Sequence, residues 1–95
     1  MKQKLQIVSD EAIPFLRGVL EPYAEIHYLP GEQISNKNIK QADALLVRTR
    51  TNCNLSLLQN TAVQMVATAT IGMDHLDTDF LRKAGIHFTN APACN

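Results

Sequence analysis

The chain has 95 residues, of which 45% are hydrophobic, and its nine Lys plus Arg balance nine Asp plus Glu to a net charge of zero. A chain of this length hides roughly 60–65% of the surface its unfolded form exposes, enough for one core but not for two lobes with a cleft between them. Electrical neutrality gives no basic face of the kind phosphate-driven binding needs, so nucleic acid is not an expected partner.

Taken in chain order, short apolar runs rich in β-branched residues alternate with capped, amphipathic segments, the pattern of parallel strands joined by helical crossovers. The first strand is expected at 5–8. A helix should follow, with Pro14 in its first turn because the residue before a proline avoids helical angles. Phe15, Leu16, Val19 and Leu20 would share one face, Gly18 would weaken it, and Pro22 would end it. The second strand is expected at 25–29. The next connection is short and marginal, with Ser35 as a plausible N-cap and Ile39 and Ala42 three apart. The third strand is expected at 44–47, after which Asn54 can cap a helix that carries Leu55 and Leu58 inward. The fourth strand is expected at 65–69. Asp77 then caps the clearest helix of the chain, whose Phe80, Leu81 and Ala84 should face the sheet. Asp77 and Asp79 sit at the positive end of its dipole, Arg82 and Lys83 at the negative end, and Gly85 supplies a left-handed stop. The fifth strand is expected at 86–89.

Five such units predict an α/β fold: a flavodoxin-like parallel five-stranded sheet with helical crossovers and strand order 2-1-3-4-5. In such sheets ligands bind beyond the carboxyl ends of the strands, where the order reverses. The segments to inspect are therefore Ser9-Asp10-Glu11, Arg48-Thr49-Arg50-Thr51 and the stretch from Thr70 to His75.

The loop after the third strand concentrates two guanidinium groups and two hydroxyls. Strand-like alternation would aim Arg48 and Arg50 to one side and the threonines to the other. Arginine forks match carboxylate or phosphate oxygens, and threonine hydroxyls fix orientation. Thr70 adds a hydroxyl, and Gly72 lacks a side chain that would keep an oxyanion from backbone N–H groups. The expected substrate-binding residues are thus Arg48, Thr49, Thr70 and Gly72, around a small acidic metabolite.

Other polar residues carry less chemistry. Asp74, His75 and Asp77 crowd one turn and would struggle to face one ion, so no metal is expected. His75 just before an N-cap reads as a hydrogen-bonded structural residue rather than a general base. His27 and His87 lie within strands as packing or surface residues. Cys53 and Cys94 show no CxxC or metal-ligand rhythm, so reduced thiols are expected, with Cys94 a small filler. The glycines are too scattered for GxGxxG, and GxxxxGK[ST] is missing, so no cofactor site is expected in this chain. No apolar stretch is long enough to cross a bilayer, and acids interrupt MKQKLQIVSDE before a signal-peptide core forms; the expected location is cytoplasmic, away from membranes.

Four segments carry a family likeness: VSDEAIP at 8–14, ALLVRTRT at 44–51, TATIGMDHLD at 68–77, and NAPACN at the end. Together they resemble the N-terminal part of the substrate-binding domain of the D-isomer-specific 2-hydroxyacid dehydrogenases. His75 with the Cys-Asn end is similar to the branch acting on 4-phosphoerythronate in pyridoxine (vitamin B6) phosphate biosynthesis; phosphoglycerate dehydrogenases usually carry Asn at that position. The resemblance implies NAD-linked oxidation of this phosphorylated small hydroxy acid at its 2-hydroxyl. It also implies substrate contact at Thr49 and Thr70, an anion-binding arginine at Arg48, and a homodimeric intact protein. The family's NAD-binding domain and its catalytic Arg, Glu and His have no counterpart in these 95 residues. The chain is accordingly expected to be a fragment, 1–95 being substrate domain, unable to catalyse alone, with apolar surface uncovered that would promote association. Two alternatives stand beside this: another D-2-hydroxyacid dehydrogenase with a different acid as substrate, and a receiver-like signalling domain. The second needs an Asp at the end of the third strand, where this chain has Arg48.

Overall fold

A computed structural model describes residues 5–13 and 24–90. The helix expected over 14–22, Cys94 and the NAPACN end lie outside those residues. Five strands, β1 (Leu5–Asp10), β2 (Ala24–Leu29), β3 (Ala44–Val47), β4 (Met65–Thr68) and β5 (His87–Asn90), form one sheet in the order β2-β1-β3-β4-β5. Every pairing is parallel. The expected architecture and strand order are those observed.

The central strands are deeply buried: Leu45 and Val47 of β3 and Val66 of β4 are fully enclosed. These side chains share one face of the sheet with Val8, and Ile39, Leu57, Leu58 and Leu81 pack over it in a continuous cluster. Truncating one of the enclosed leucines to alanine would cost about 2–5 kcal/mol. The core lies beneath the connections that follow β2, β3 and β4, so the loops at the strand tips rest on a rigid floor.

Between β2 and β3 the chain makes two 3₁₀ turns, Gly31–Gln33 and Asn36–Ile39; Ser35 precedes the second without a side-chain capping bond. Ile39 and Ala42 are buried. Helix α1 is a single turn, Leu55–Leu58, and the Asn54 side chain accepts from Leu57 N at 3.1 Å. Here the inward pair is Leu57 and Leu58, while Leu55 is 56% exposed. One turn is too short for an i, i+3 stripe to define a face, and the cap geometry sets the orientation instead.

Helix α2 (Thr78–Ala84) follows its sequence signals closely. Asp77 Oδ1 accepts from Phe80 N at 3.1 Å. Gly85 closes the helix at φ 75°, with its own N–H donating to Arg82 O and that of Ile86 to Leu81 O. Leu81 is fully buried and Phe80 packs against the core, but Ala84 is exposed. The left-handed glycine ends the helix there and turns the chain into β5. Among the described residues no helix is long and apolar enough to cross a membrane.

Candidate functional site

The carboxyl ends of β1, β3 and β4 lie side by side. Ser9 is level with Leu46, and Val47 with Thr68, so Asp10, Arg48 and Ala69 leave the sheet along one edge. The strand order reverses between β1 and β3, and that is where a parallel sheet opens a crevice. A cavity of about 210 Å³ occupies the place, lined by Asp10, Ala12, Arg48, Thr49 and Arg50.

Two of the predicted site residues, Arg48 and Thr49, thus meet in one cleft with Arg50. The segment is a turn, closed by Thr51 N donating to Arg48 O at 3.2 Å, rather than an extension of the strand. Alternation therefore does not separate the arginines from Thr49. Thr51 is the residue that turns away: it is buried, and its hydroxyl donates to Gly31 O at 3.0 Å.

The two guanidinium groups differ in how they are engaged. Arg50 Nη1 lies 3.2 Å from Glu32 Oε1, and that contact with the local backbone hydrogen bond holds the Glu32 carboxyl below its ordinary range. Among the described residues Arg48 reaches only the Ala12 carbonyl, at 3.5 Å, the outer limit of a hydrogen bond. Its donors are the ones left for an incoming anion.

Asp10 is the residue whose part the sequence understated. It is 3% exposed, and its Oδ1 accepts from Ala12 N at 2.8 Å. Its other oxygen faces Gly31 so closely that a Cβ there would sit 2.6 Å from Oδ2 and 3.1 Å from Arg50 Cβ. Gly31 is glycine because the carboxylate and the arginine stem already fill the space. The visible signal was an acid at the tip of an otherwise apolar strand. Among the described residues that line the cleft, two are cationic, Arg48 and Arg50, and one is acidic, Asp10.

At the β4 tip the polar groups are spent on one another. Thr68 is fully buried, and its hydroxyl lies 2.7 Å from His75 Nε2 and 2.8 Å from Thr70 Oγ1. Thr70 in turn donates to Gly72 O at 2.8 Å. His75 is the hydrogen-bonded residue its position suggested. Desolvation lowers its pKa, with the neighbouring Asp74 carboxylate pulling the other way. Threonines two apart on a strand share a face, which is the signal that Thr68, not singled out from the sequence, would join Thr70. Gly72 is exposed, and a Cβ there would meet nothing within 4 Å. The fold itself does not demand a glycine at that position. Ile71 beside it is 82% exposed, and the Asn90 amide steadies the loop by donating to its carbonyl.

The two tips are joined through the backbone. Cys53 N donates to His75 O at 2.8 Å and Asp77 N to Cys53 O at 2.9 Å, an isolated parallel bridge across the loops. Burial pushes the Cys53 thiol up to about 12, so it is an inert packing group. Thr70 does not line the cleft around Arg48; it stands in the loop that follows the neighbouring strand β4.

A larger cavity, about 300 Å³, opens beside Gln6, His27, Lys37 and Lys40. It lies along the strands, away from their carboxyl ends, and its polar groups bridge one another: Gln6 Nε2 donates to Glu25 Oε1 at 2.9 Å, and His27 Nε2 lies 3.2 Å from Gln6 Oε1. Among the described residues no three His, Cys, Asp or Glu come together to hold a metal.

Comparison with known proteins bears on the family and the fold. Residues 5–95 match the family described as D-isomer specific 2-hydroxyacid dehydrogenase, catalytic domain. The erythronate-4-phosphate dehydrogenase of Bacteroides fragilis is 47% identical over 92 residues, 96% of this chain and 26% of the relative. That of Hahella chejuensis is 50% identical over 91 residues, again 96% of this chain and 24% of the relative. The chain therefore spans about a quarter of the length of the curated relatives it matches. Among solved structures, D-lactate dehydrogenase from Aquifex aeolicus, complexed with NAD and lactic acid, superposes with a TM-score of 0.72 at 24% identity, over 93% of this chain and 28% of that one. The NAD⁺-bound 3-phosphoglycerate dehydrogenase of Entamoeba histolytica gives 0.76 at 19%, over 93% and 33%. With Arg48 at the β3 tip a receiver domain's acceptor Asp has no place, and the chain belongs to the D-isomer specific 2-hydroxyacid dehydrogenase family.

Proposed function

We propose that this chain supplies part of the substrate-binding domain of an NAD-linked dehydrogenase that oxidises 4-phosphoerythronate at its 2-hydroxyl, a step of pyridoxine phosphate synthesis. The observation that carries this reading is the cleft at the strand-order reversal, where Arg48 keeps its donors available beside the Thr49 hydroxyl. The names of the relatives supply the choice of acid.

In this reading Arg48 binds one anionic end of the substrate through its guanidinium fork, and Thr49 fixes the orientation of that end. Thr70 meets the substrate from the neighbouring strand. The glycine at 72, which the fold does not require, leaves the loop backbone open to close approach. Asp10 disfavours a second anion deep in the cleft, so the far negative group points outward. Arg50, held by Glu32, shapes the wall more than it binds. When bound, NAD supplies the hydride acceptor; it sits outside this crevice, on residues beyond those described. The intact protein is cytoplasmic and homodimeric, and its partners are small hydroxy acids rather than nucleic acid or membranes.

Arg48→Ala in the full-length protein tests the assignment. Losing a charge-assisted hydrogen bond should weaken substrate binding by about 1.5–3 kcal/mol, a KM rise of roughly 10- to 150-fold. If KM and kcat with 4-phosphoerythronate stay at wild-type values, Arg48 is not in the site.

A further inference from the structure

The chain of hydrogen bonds at the β4 tip has a direction that can be worked out. A carbonyl only accepts, so the bond to Gly72 O uses the single proton of the Thr70 hydroxyl. The contact at 2.8 Å between the two threonines must then use the proton of Thr68. With that proton committed, the contact at 2.7 Å requires His75 Nε2 to be the donor. The order runs from imidazole to Thr68, to Thr70, to the Gly72 carbonyl. Neutral His75 is consequently the Nε2–H tautomer, and a proton added at Nδ1 leaves the order intact.

Thr70 Oγ1 thereby donates once and accepts once within the protein, which leaves one lone pair and no proton for a ligand. We propose that His75 is a positioning residue: acting through the buried Thr68, it holds the Thr70 hydroxyl as an acceptor, so that substrate meets Thr70 through one of its hydroxyl groups and not through its carboxylate or phosphate. This rests on the function proposed above and divides the substrate between the two tips. The anionic end goes to Arg48, and a hydroxyl goes to Thr70. His75 is well placed for the task because its carbonyl is tied to Cys53 N and Leu76 beside it is buried, so the ring is anchored from both sides of the loop.

The test uses the full-length protein with ¹⁵N-labelled histidine, and 4-phosphoerythronate as the probe. At pH 8 the His75 ring should show a protonated Nε2 and a bare Nδ1. His75→Leu should raise KM about three- to tenfold with a smaller change in kcat, the size expected for a lost neutral hydrogen bond. His75→Gln, whose amide nitrogen reaches nearly the same point, should recover most of the loss. In a Thr70→Val background, His75→Leu should have no further effect on KM, because His75 acts on the substrate only through the Thr70 hydroxyl. A protonated Nδ1 with a bare Nε2, or full additivity of the two substitutions, overturns the proposal. The tautomer measurement needs no substrate. Should the full-length protein leave 4-phosphoerythronate unoxidised, the proposed function falls, while the ring nitrogen that carries the proton still upholds or overturns the relay.

Discussion

The tips of β3 and β4 are neighbours on one sheet edge, yet they treat their polar groups in opposite ways. After β3 the side chains of Arg48, Thr49 and Arg50 are exposed, and one guanidinium is left almost without an internal partner. After β4 the hydroxyls of Thr68 and Thr70 and the His75 ring are bonded to one another, around a threonine with no exposure at all. The first tip offers charge at low structural cost. The second offers a fixed hydrogen-bond direction, which only a buried and fully partnered network can hold.

Substitutions at the two tips should therefore separate binding from stability. Arg48→Ala carries the largest expected effect, about 1.5–3 kcal/mol in substrate binding, with the free energy of unfolding changed by less than about 0.5 kcal/mol, as for an exposed side chain. Urea unfolding alongside kinetics checks both halves, and a large loss of stability would break the contrast. Thr68→Val is its mirror image. It leaves the His75 donor facing a methyl group and should cost about 1–3 kcal/mol of stability, which for a domain of this size lowers Tm by roughly 4–8 °C per kcal/mol. A Tm at the wild-type value would mean that the network stabilises nothing.

Gly31→Ala probes the floor of the first tip. Its Cβ would sit 2.6 Å from Asp10 Oδ2, and overpacking of this kind costs about 1–3 kcal/mol. Because the displaced atoms line the cleft, substrate binding and Tm should fall together. A change in only one of them would show that Asp10 moves independently of Arg48. Arg50→Ala should do least, within about 1 kcal/mol in stability, since the Arg50 and Glu32 side chains are 73% and 63% exposed. A KM shift as large as that of Arg48→Ala would reverse the roles given to the two arginines.

The second tip also has a pH signature. The folded-state pKa of His75 lies below its ordinary value of 6.5, burial being the larger cause and Asp74 opposing it. Below that ordinary value the unfolded chain binds the extra proton first. The contribution of His75 to stability is thus complete above about pH 6.5 and declines as the pH falls through the folded-state pKa. The difference in Tm between wild type and His75→Gln should narrow from pH 7.5 to pH 5. A difference that widens toward acid would mean that the folded protein binds the proton more tightly.

Much of this was legible in advance, and the reasons are local. Asp77 and Gly85 bound α2 because a carboxylate at an N-cap and a glycine at positive φ act within a few residues of themselves. Strand order could be anticipated because right-handed crossovers allow few arrangements. The inward faces of α1 and α2 were harder. Leu55 and Ala84 proved exposed, since one or two turns of helix are oriented by what they pack upon rather than by their own periodicity. At the strand tips, the meeting of Arg48 and Thr49 in one crevice could be anticipated from residue type and place in the strand–loop pattern. Asp10 as a wall of the cleft and Thr68 as the hub of the relay could not.

The amino-acid sequence alone determined the parallel α/β sheet, its strand order, the caps of α2 and the edge on which a site would lie, because periodicity, capping and turn chemistry are short-range effects. Only the tertiary structure decided which polar group meets which. It tied Arg50 to Glu32 and left Arg48 available, pressed Gly31 against Asp10, and brought His75 back onto Thr68 seven residues earlier. Hydrogen bonds and charge pairs depend on ångström distances between segments far apart in the chain, and those distances exist only once the core beneath them has packed.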